Sequence, residues 1–370
     1  MLTLTAKVQV LPSDSEKNLL LETSRRYAEA CNFVSNYVMQ THDLSQASLN
    51  KALYRQIRDD FSLGAQMAQS VLRTVIAKYR TVLTNQRKWI QPNFKHPQCD
   101  LVWNRDYSMK PEYFSVNTVL GRVKLKYKTS GLERYFDGTW KFGTARLVTK
   151  HGKWFLHISV SKDVPELQDF NVCNVVGVDL GVNFLAAAYD STGKSTFFSG
   201  RSVKHQRAKY KQLRKELQQR KTASARRRLK KIGGRENRWM SDVNHQVSKA
   251  LVSGQPSGTL FVLEDLTGIR GATEKVALGQ RYEIVSWSFY DLRQKIEYKA
   301  KLNGSKVVAV DPKYTSQTCP KCGHVEKGNR DKKRHIFVCQ NCGYHSNDDR
   351  IGAMNLHRKG IEYLSAVAGE

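Results

Sequence analysis

Leu2, Leu4, Ala6, Val8 and Val10 alternate with polar residues, the period of a half-buried strand, and Pro12 ends the run. The period then changes. Ser13 and Glu16 stand at capping-box spacing, and Leu20, Tyr27, Cys31, Val34 and Val38 recur at helical intervals, which predicts a helix. Two more are expected over about 48–60 and 66–85, the latter with Met67, Val71, Val75, Tyr79 and Val82 on one face and Arg73, Lys78 and Arg80 off it. From Pro92 the period returns to two, over Tyr113 to Asn117, Arg122 to Tyr127, Ala145 to Thr149, and Trp154, Leu156, Ile158 and Val160, with His151-Gly152-Lys153 as a hairpin turn. A helical segment, 13–89, therefore interrupts a β-domain made of 1–12 and 90–165. Asp163 to Asn171, with Pro165, reads as a linker, placed at 166–172.

The second half is patterned as α/β. Val175-Val176-Gly177-Val178-Asp179-Leu180-Gly181 is a buried strand broken by an acid and two glycines, and Phe184 to Tyr189 and Ser195 to Phe198 are the next strands. Arg201 to Lys231 is a basic helical stretch in which Glu216 is the one acid; Gly233-Gly234 then separates it from a second helix through Val243, Val247 and Leu251. Leu260 to Asp265 is another buried strand ending in acids, followed by a helix from about Ile284 to Lys301 and a strand from Lys306 to Val310.

Charge changes the picture. The chain of 370 residues holds 61 Lys and Arg against 33 Asp and Glu, a net charge of +28, which calls for a polyanionic partner such as nucleic acid. Arg226-Arg227-Arg228 and Lys230-Lys231 cover several helix faces. They read either as a solvated surface or, the favoured alternative, as contacts to phosphates that relieve their mutual repulsion. No secretory leader pattern opens the chain and no stretch approaches about 18 apolar residues, so a membrane-free protein of the reducing cytoplasm is expected. In that compartment Cys31, Cys99 and Cys173 are expected to be small buried residues.

The remaining four cysteines form the most specific motif. Cys319-Pro320-Lys321-Cys322-Gly323 and Cys339-Gln340-Asn341-Cys342-Gly343 are two knuckles, each with the glycine that lets backbone amides turn toward thiolates, and predict one structural zinc ion. Four thiolates complete a tetrahedron, which leaves His324, His335 and His345 on the surface or around the zinc. Lys327, Arg330, Lys332, Lys333 and Arg334 make the ribbon's loop basic, and it either follows a nucleic-acid strand or is simply solvated.

Immediately beyond the second knuckle, Asp348-Asp349 opens an apolar helix. Asp179 in a first strand, Glu264 ending a later one and an acid opening the last helix are where an RNase H-like sheet gathers carboxylates. Such a cluster suits two magnesium ions that hydrolyse a phosphodiester. Asp349 shares its helix face with Gly352, Ala353, Leu356 and Gly360, a small and apolar stripe suited to packing on a sheet, whereas Asp348 shares its face with Asn355 and Lys359. Asp349 is therefore assigned to the cluster. Asp348 is left as a residue favoured by the helix dipole, with Asn347 or Ser346 as cap.

Gly177-Val178-Asp179-Leu180-Gly181, Leu263-Glu264-Asp265-Leu266, and Tyr314-Thr315-Ser316-Gln317-Thr318-Cys319 through Cys342-Gly343 to Asp349 and Ala353-Met354-Asn355-Leu356 resemble the TnpB family of insertion-sequence proteins, similar to the ancestors of type V CRISPR effectors. The match is specific in the C-terminal half and one of layout in the N-terminal half. The resemblance implies a β-barrel interrupted by a helical recognition domain, then a RuvC-like nuclease domain at 173–313 and 346–370 with a zinc ribbon inserted at 314–345. It implies an RNA-guided, magnesium-dependent DNA endonuclease that cuts beside a short transposon-associated motif. Carried over, the nuclease acids and Mg2+ ligands fall on Asp179, Glu264 and Asp349, and the Zn2+ ligands on Cys319, Cys322, Cys339 and Cys342. The implied partners are a noncoding guide RNA from the transposon end and double-stranded target DNA, for a bacterial, nucleoid-associated protein whose oligomeric state the sequence leaves open, a monomer with its RNA being the expectation. Where the family commonly has Ala-Ala after the last acid, this chain has Gly352-Ala353. Two other readings stay open: a DNA-binding accessory factor of transposition, and an RNA-independent RuvC-type nuclease or transposase.

Overall fold

β1 (Leu2–Leu11) alternates as its sequence predicts, with Leu2, Ala6, Val8 and Val10 buried. The computed structural model describes residues 1–95, 98–128, 130–150, 152–265 and 289–369. They form two units, Met1–Asp163 and Val164–Glu370.

In the first unit β1 is followed by three helices, α1 (Asp14–Thr41), α2 (Gln46–Phe61) and α3 (Ala65–Gln86). The expected capping box starts α1: Ser13 N–H donates to Glu16 Oε2 at 2.7 Å, and Glu16 N–H donates to Ser13 Oγ at 3.4 Å. Six more strands follow, β2 (Cys99–Leu101), β3 (Tyr107–Met109), β4 (Phe114–Thr118), β5 (Gly121–Tyr127), β6 (Lys141–Lys150) and β7 (Lys153–Lys162). The sheet is antiparallel, in the order β2-β6-β7-β1-β5-β4-β3, so the first strand lies at its centre. β1 pairs with β7 from Leu2↔Lys162 to Val10↔Trp154. Gly152, at φ +72°, occupies the β6–β7 turn in the left-handed region glycine tolerates; His151 of that turn lies outside the described residues. Helices and sheet share one core, in which Val8, Val34, Val71, Tyr107 and Leu156 are buried.

The second unit is built on β8 (Asn174–Asp179), β9 (Phe184–Asp190), β10 (Ser195–Ser199), β11 (Thr259–Glu264) and β12 (Lys306–Val310), ordered β10-β9-β8-β11-β12. β8, β11 and β12 are parallel neighbours, and β9 and β10 run antiparallel. Parallel strands covered on both faces read as continuous apolar runs, which is why β8 and β11 stand out in the sequence. The segment expected to be a linker is anchored at its end, where Asp169 accepts from Lys306 Nζ at 2.9 Å.

The basic stretch departs from expectation. α4 (Arg201–Arg220) ends at Lys221, which adopts φ +51°, and Thr222 caps α5 (Ala223–Ser253), which runs straight through Gly233-Gly234. The side-chain cap wins over the glycine pair. Each glycine costs about 1 kcal/mol within a helix, and Tyr210, Leu217, Ala225 and Ile232 offset that by packing α4 against α5. Arg226, Arg227, Arg228, Lys230 and Lys231 are exposed.

α6 (Phe289–Leu302) matches the described part of the helix expected from Ile284; 284–288 lie outside the described residues. Next comes a three-stranded ribbon, β13 (Arg330–Asp331), β14 (Ile336–Val338) and β15 (His345–Asn347), which leads directly into α7 (Asp348–Ala368). Cys31 and Cys99 are buried as expected, whereas Cys173 is exposed, its thiol donating to Ser257 O at 3.3 Å. No helix among the described residues is long and apolar enough to cross a membrane.

Candidate active site

β8 and β11 are neighbours in parallel register, with Val178 opposite Leu263, so Asp179 and Glu264 leave the sheet at the same end. α7 crosses both strands through its small residues. A methyl on Gly177 would lie 3.0 Å from His357 Cα and closer still to Ala353 O and His357 N, and one on Gly360 would lie 2.6 Å from Val262 Cγ2 and 2.7 Å from Val175 Cγ1. Glycine at 177 and 360 thus sets how near the helix comes, and the helix delivers Asp349 to the acids on the strands. A methyl on Gly352 would be 2.7 Å from Asp179 Oδ2, which shows how closely the first turns of α7 and the Asp179 carboxylate approach.

The electrostatics agree that these acids form one group. Burial pushes the Asp179 carboxyl well above the usual range, and Glu264 and Asp349 push it further. Burial also raises Glu264, against the Thr315 hydroxyl, Lys359 and Arg330, which favour its charged form. Asp349 is raised by burial and by Asp348, against Arg330, His335 and Lys204. Asp349 Oδ2 and Asp348 Oδ1 are buried oxygens without a hydrogen-bond partner. Crowded carboxylates with orphaned oxygens are poor company for one another and good ligands for hard divalent cations.

The helix start is as expected in part. Asn347 caps α7, its side chain accepting from Asp349 N and Arg350 N, both at 3.1 Å. Asp348 is the first residue of α7, where the dipole favours it as expected, and beyond that expectation it is fully buried and paired with Arg330, Nε to Oδ2 at 2.8 Å. Its carboxylate neutralises a cation brought by the ribbon, so the loop's charges divide; Arg330 points inward while Lys327, Lys332, Lys333 and Arg334 are exposed. Of the two places expected for His335, it takes the surface, with its side chain 40% exposed. Its ring lies against Asn183, with Nδ1 3.5 Å from Asp348 Oδ2, and His335, Asp348 and Asp349 offer donor atoms within 4.8 Å of one another.

The four cysteines converge. Cys319 Sγ is 3.6 Å from Cys342 Sγ, Cys322 Sγ is 3.6 Å from Cys339 Sγ, and all four lie within 4.8 Å of one another. Zinc–thiolate bonds of about 2.3 Å give a tetrahedron with edges of about 3.8 Å, so the donor set fits zinc. The backbone N–H of His324 holds the Cys322 thiol down at about 6, toward the thiolate a metal takes.

Two further contacts escaped the sequence. Thr315 Oγ1 donates to Glu264 Oε1 at 2.6 Å, and Asn355 Nδ2 donates to Thr315 O at 2.7 Å and Thr318 O at 2.8 Å. The available signals were that Thr315 and Asn355 both lie in motifs that carry the family resemblance, and that Asn355 is a polar residue sharing a helix face with Asp348.

Known proteins fit this architecture. Residues 157–264 match the OrfB_IS605 family, described as a probable transposase, and residues 289–356 match the Cas12f1-like TNB domain. The putative RNA-guided DNA endonuclease InsQ of Escherichia coli K12 is 28% identical over 92% of this chain and 89% of its own length. A TnpB-like protein of Methanocaldococcus jannaschii is 27% identical over 67% of this chain and 87% of its own. The CRISPR-associated endodeoxyribonuclease Cas12f1 of Sulfoacidibacillus thermotolerans is 31% identical over 64% of this chain, which spans 57% of that relative's length. Among solved structures, the protein of a Cas12f1–sgRNA–target DNA complex shares the fold with a TM-score of 0.66 at 13% identity, covering 96% of this chain and 98% of its own. The family matches contain all three acids, Asp179 and Glu264 in the first and Asp349 in the second, and the InsQ relative aligns along nearly the whole chain, so this chain is similar to TnpB-family proteins in both of its halves.

Proposed function

We propose that this protein is an RNA-guided DNA endonuclease of a bacterial transposon that hydrolyses DNA beside a short transposon-associated motif. One observation carries the chemistry: Asp179, Glu264 and Asp349, from two adjacent strands and the helix that crosses them, form a single group of buried and half-buried carboxyls with raised pKa values and an orphaned oxygen. The five-strand order, with an antiparallel β10-β9-β8 half and a parallel β8-β11-β12 half, supports an RNase H-like, RuvC-type domain. The names of the InsQ and Cas12f1 relatives support the guided reading.

Asp179, Glu264 and Asp349 would hold two magnesium ions. Bound there, the metal supplies alignment of the attacking water and stabilisation of the leaving oxygen. Asp348 remains committed to Arg330, which places a cation beside the carboxylates and limits their repulsion when no metal is bound. Cys319, Cys322, Cys339 and Cys342 would hold zinc and fix the ribbon from which α7 emerges. The exposed arginines and lysines of α5 and the ribbon offer charge to the backbones of guide RNA and DNA. The first unit supplies a wedge-like β-domain and recognition helices for the RNA and the flanking motif, while base pairing reads the remaining sequence.

The test is magnesium-dependent cleavage of a plasmid by protein copurified with its RNA. Asp179→Asn, Glu264→Gln and Asp349→Asn are each expected to abolish cutting while RNA and target binding stay within about threefold of wild type. Cutting by RNA-free protein would overturn the guided reading, and cutting by Asp349→Asn would remove that residue from the site.

A further inference from the structure

We infer that Thr315 is a positioning residue for Glu264, and that the segment 311–318 is a strut through which the zinc ribbon and α7 together set the orientation of that carboxylate. The inference rests on the function proposed above. Glu264 ends its strand at the sheet edge, where the backbone fixes where the side chain starts but not how its carboxylate turns. Among the described residues, Thr315 donates a hydrogen bond to its carboxylate, and Thr315 is buried, 3% exposed.

The segment around Thr315 is held from two sides, by α7 and by the ribbon. Asn355, buried on α7, donates to the carbonyls of Thr315 and Thr318. One turn further on, Lys359 Nζ donates to the carbonyls of Asp311 and Lys313. From the ribbon, Asn329 Nδ2 donates to Gln317 O at 3.0 Å, and Cys319 begins the first knuckle directly after Thr318. The helix that carries Asp349 on one face therefore grips, with another face, the segment that orients Glu264. Two acids from distant parts of the chain are tied to one rigid body.

The hydroxyl has one proton and two acceptors in reach, Glu264 Oε1 at 2.6 Å and Pro312 O at 2.9 Å. Donation to Pro312 would make Thr315 a local turn residue and nothing more. Donation to an ionised Glu264 is charge-assisted and directional, the kind of contact that fixes a metal-binding carboxylate. The experiment must separate these two roles.

Thr315→Ser, Thr315→Ala and Thr315→Val are compared in the full chain, zinc-loaded, with Glu264→Gln alongside. Mn2+ affinity is read by electron paramagnetic resonance on RNA-free protein, and the magnesium dependence of cleavage is read on the RNA complex. Orienting partners of metal ligands are worth about 10- to 100-fold. Thr315→Ala and Thr315→Val are therefore expected to bind Mn2+ about tenfold more weakly and to need about tenfold more magnesium for half-maximal cutting, with zinc content unchanged. Thr315→Ser should stay within about threefold of wild type; it loses the same methyl as Thr315→Ala, so a general packing defect cancels between the two. Wild-type Mn2+ affinity in Thr315→Ala, a Thr315→Ser as weak as Thr315→Ala, or loss of zinc from Thr315→Ala alone would each overturn the inference. If Glu264→Gln binds Mn2+ and cuts like wild type, the proposed role of Glu264 fails instead.

Discussion

Gly177→Ala adds one methyl group where α7 rests on β8, and the structure sets what that methyl does. The new carbon would lie 3.0 Å from His357 Cα and nearer to Ala353 O and His357 N. All three atoms are helix backbone, so no rotamer change relieves the clash. Carbon needs roughly 3.5 to 4 Å from such neighbours, so α7 must lift by about 1 Å. Overpacking of this kind costs about 1–3 kcal/mol. For a unit of this size, about 2–4 °C per kcal/mol puts the fall in melting temperature at about 2–12 °C. The effect on chemistry is larger, because Asp349 lies one helical turn before Ala353 and moves with the helix. A displacement of about 1 Å costs on the order of 100-fold in rate. Single-turnover cleavage by the RNA complex at saturating magnesium reads that loss, and differential scanning calorimetry reads the stability. Cleavage within threefold of wild type, or a melting temperature unchanged within about 1 °C, would refute the claim that this close approach sets the position of Asp349. Gly352→Ala is the informative contrast. Its methyl would meet the Asp179 carboxylate, 2.7 Å from Oδ2, rather than backbone, and the helix gains about 1 kcal/mol from losing a glycine, so stability should hold while the displaced Asp179 lowers cleavage on the order of 100-fold.

Arg330→Ala leaves the buried Asp348 carboxylate without its cation and should destabilise the second unit by about 3 kcal/mol, a loss visible in chemical denaturation; a change under about 1 kcal/mol would mean that the pair contributes nothing net. Folding raises the pKa values of Asp179, Glu264 and Asp349, so the stability they contribute is present below the unfolded carboxyl range and is lost as pH rises through the raised values. Magnesium should therefore raise the melting temperature more at pH 8 than at pH 5, and an equal rise at both would show that these acids do not hold it. Cys319→Ser should lower zinc content and cleavage together, since Cys319 follows the strut and its knuckle packs near the start of α7; full cleavage by zinc-depleted protein would separate the ribbon from the active site.

What the sequence made legible was periodic or local. Buried strands β8 and β11 read as apolar runs, the Ser13 cap as a spacing, and the Asp349 stripe of Gly352, Ala353, Leu356 and Gly360 as the face that packs on the sheet. Contacts between segments far apart in sequence were not legible. Arg330 looked like one basic loop residue among five, and only the fold distinguishes the guanidinium aimed at Asp348 from its exposed neighbours. Nearness to the cysteines in sequence placed His335 on the surface or around the zinc; it is at the surface, and only the fold shows that its ring turns to the acids. The break at Lys221 was misplaced because a glycine pair is a stronger local signal than a threonine cap, and packing between α4 and α5 outweighs it. β2 and β3, at 3 residues each, are too short to show a period.

The central position of β1 sets a timetable for synthesis. Leu4 pairs with Val160, so the strand made first finds its main neighbour only after some 150 further residues have been added. At about 5–20 residues per second, that wait lasts on the order of 8 to 30 s. Until β5 is made β1 carries two unsatisfied hydrogen-bonding edges, and until β7 is made its longer edge stays open, the feature that invites wrong strand partners. α1, α2 and α3 follow directly and are able to pack with one another early, giving the apolar face of β1 a surface to shelter on. A ribosome that stalls before residue 153 would release a chain whose helices are formed but whose sheet lacks β7, the strand that joins β6 to β1.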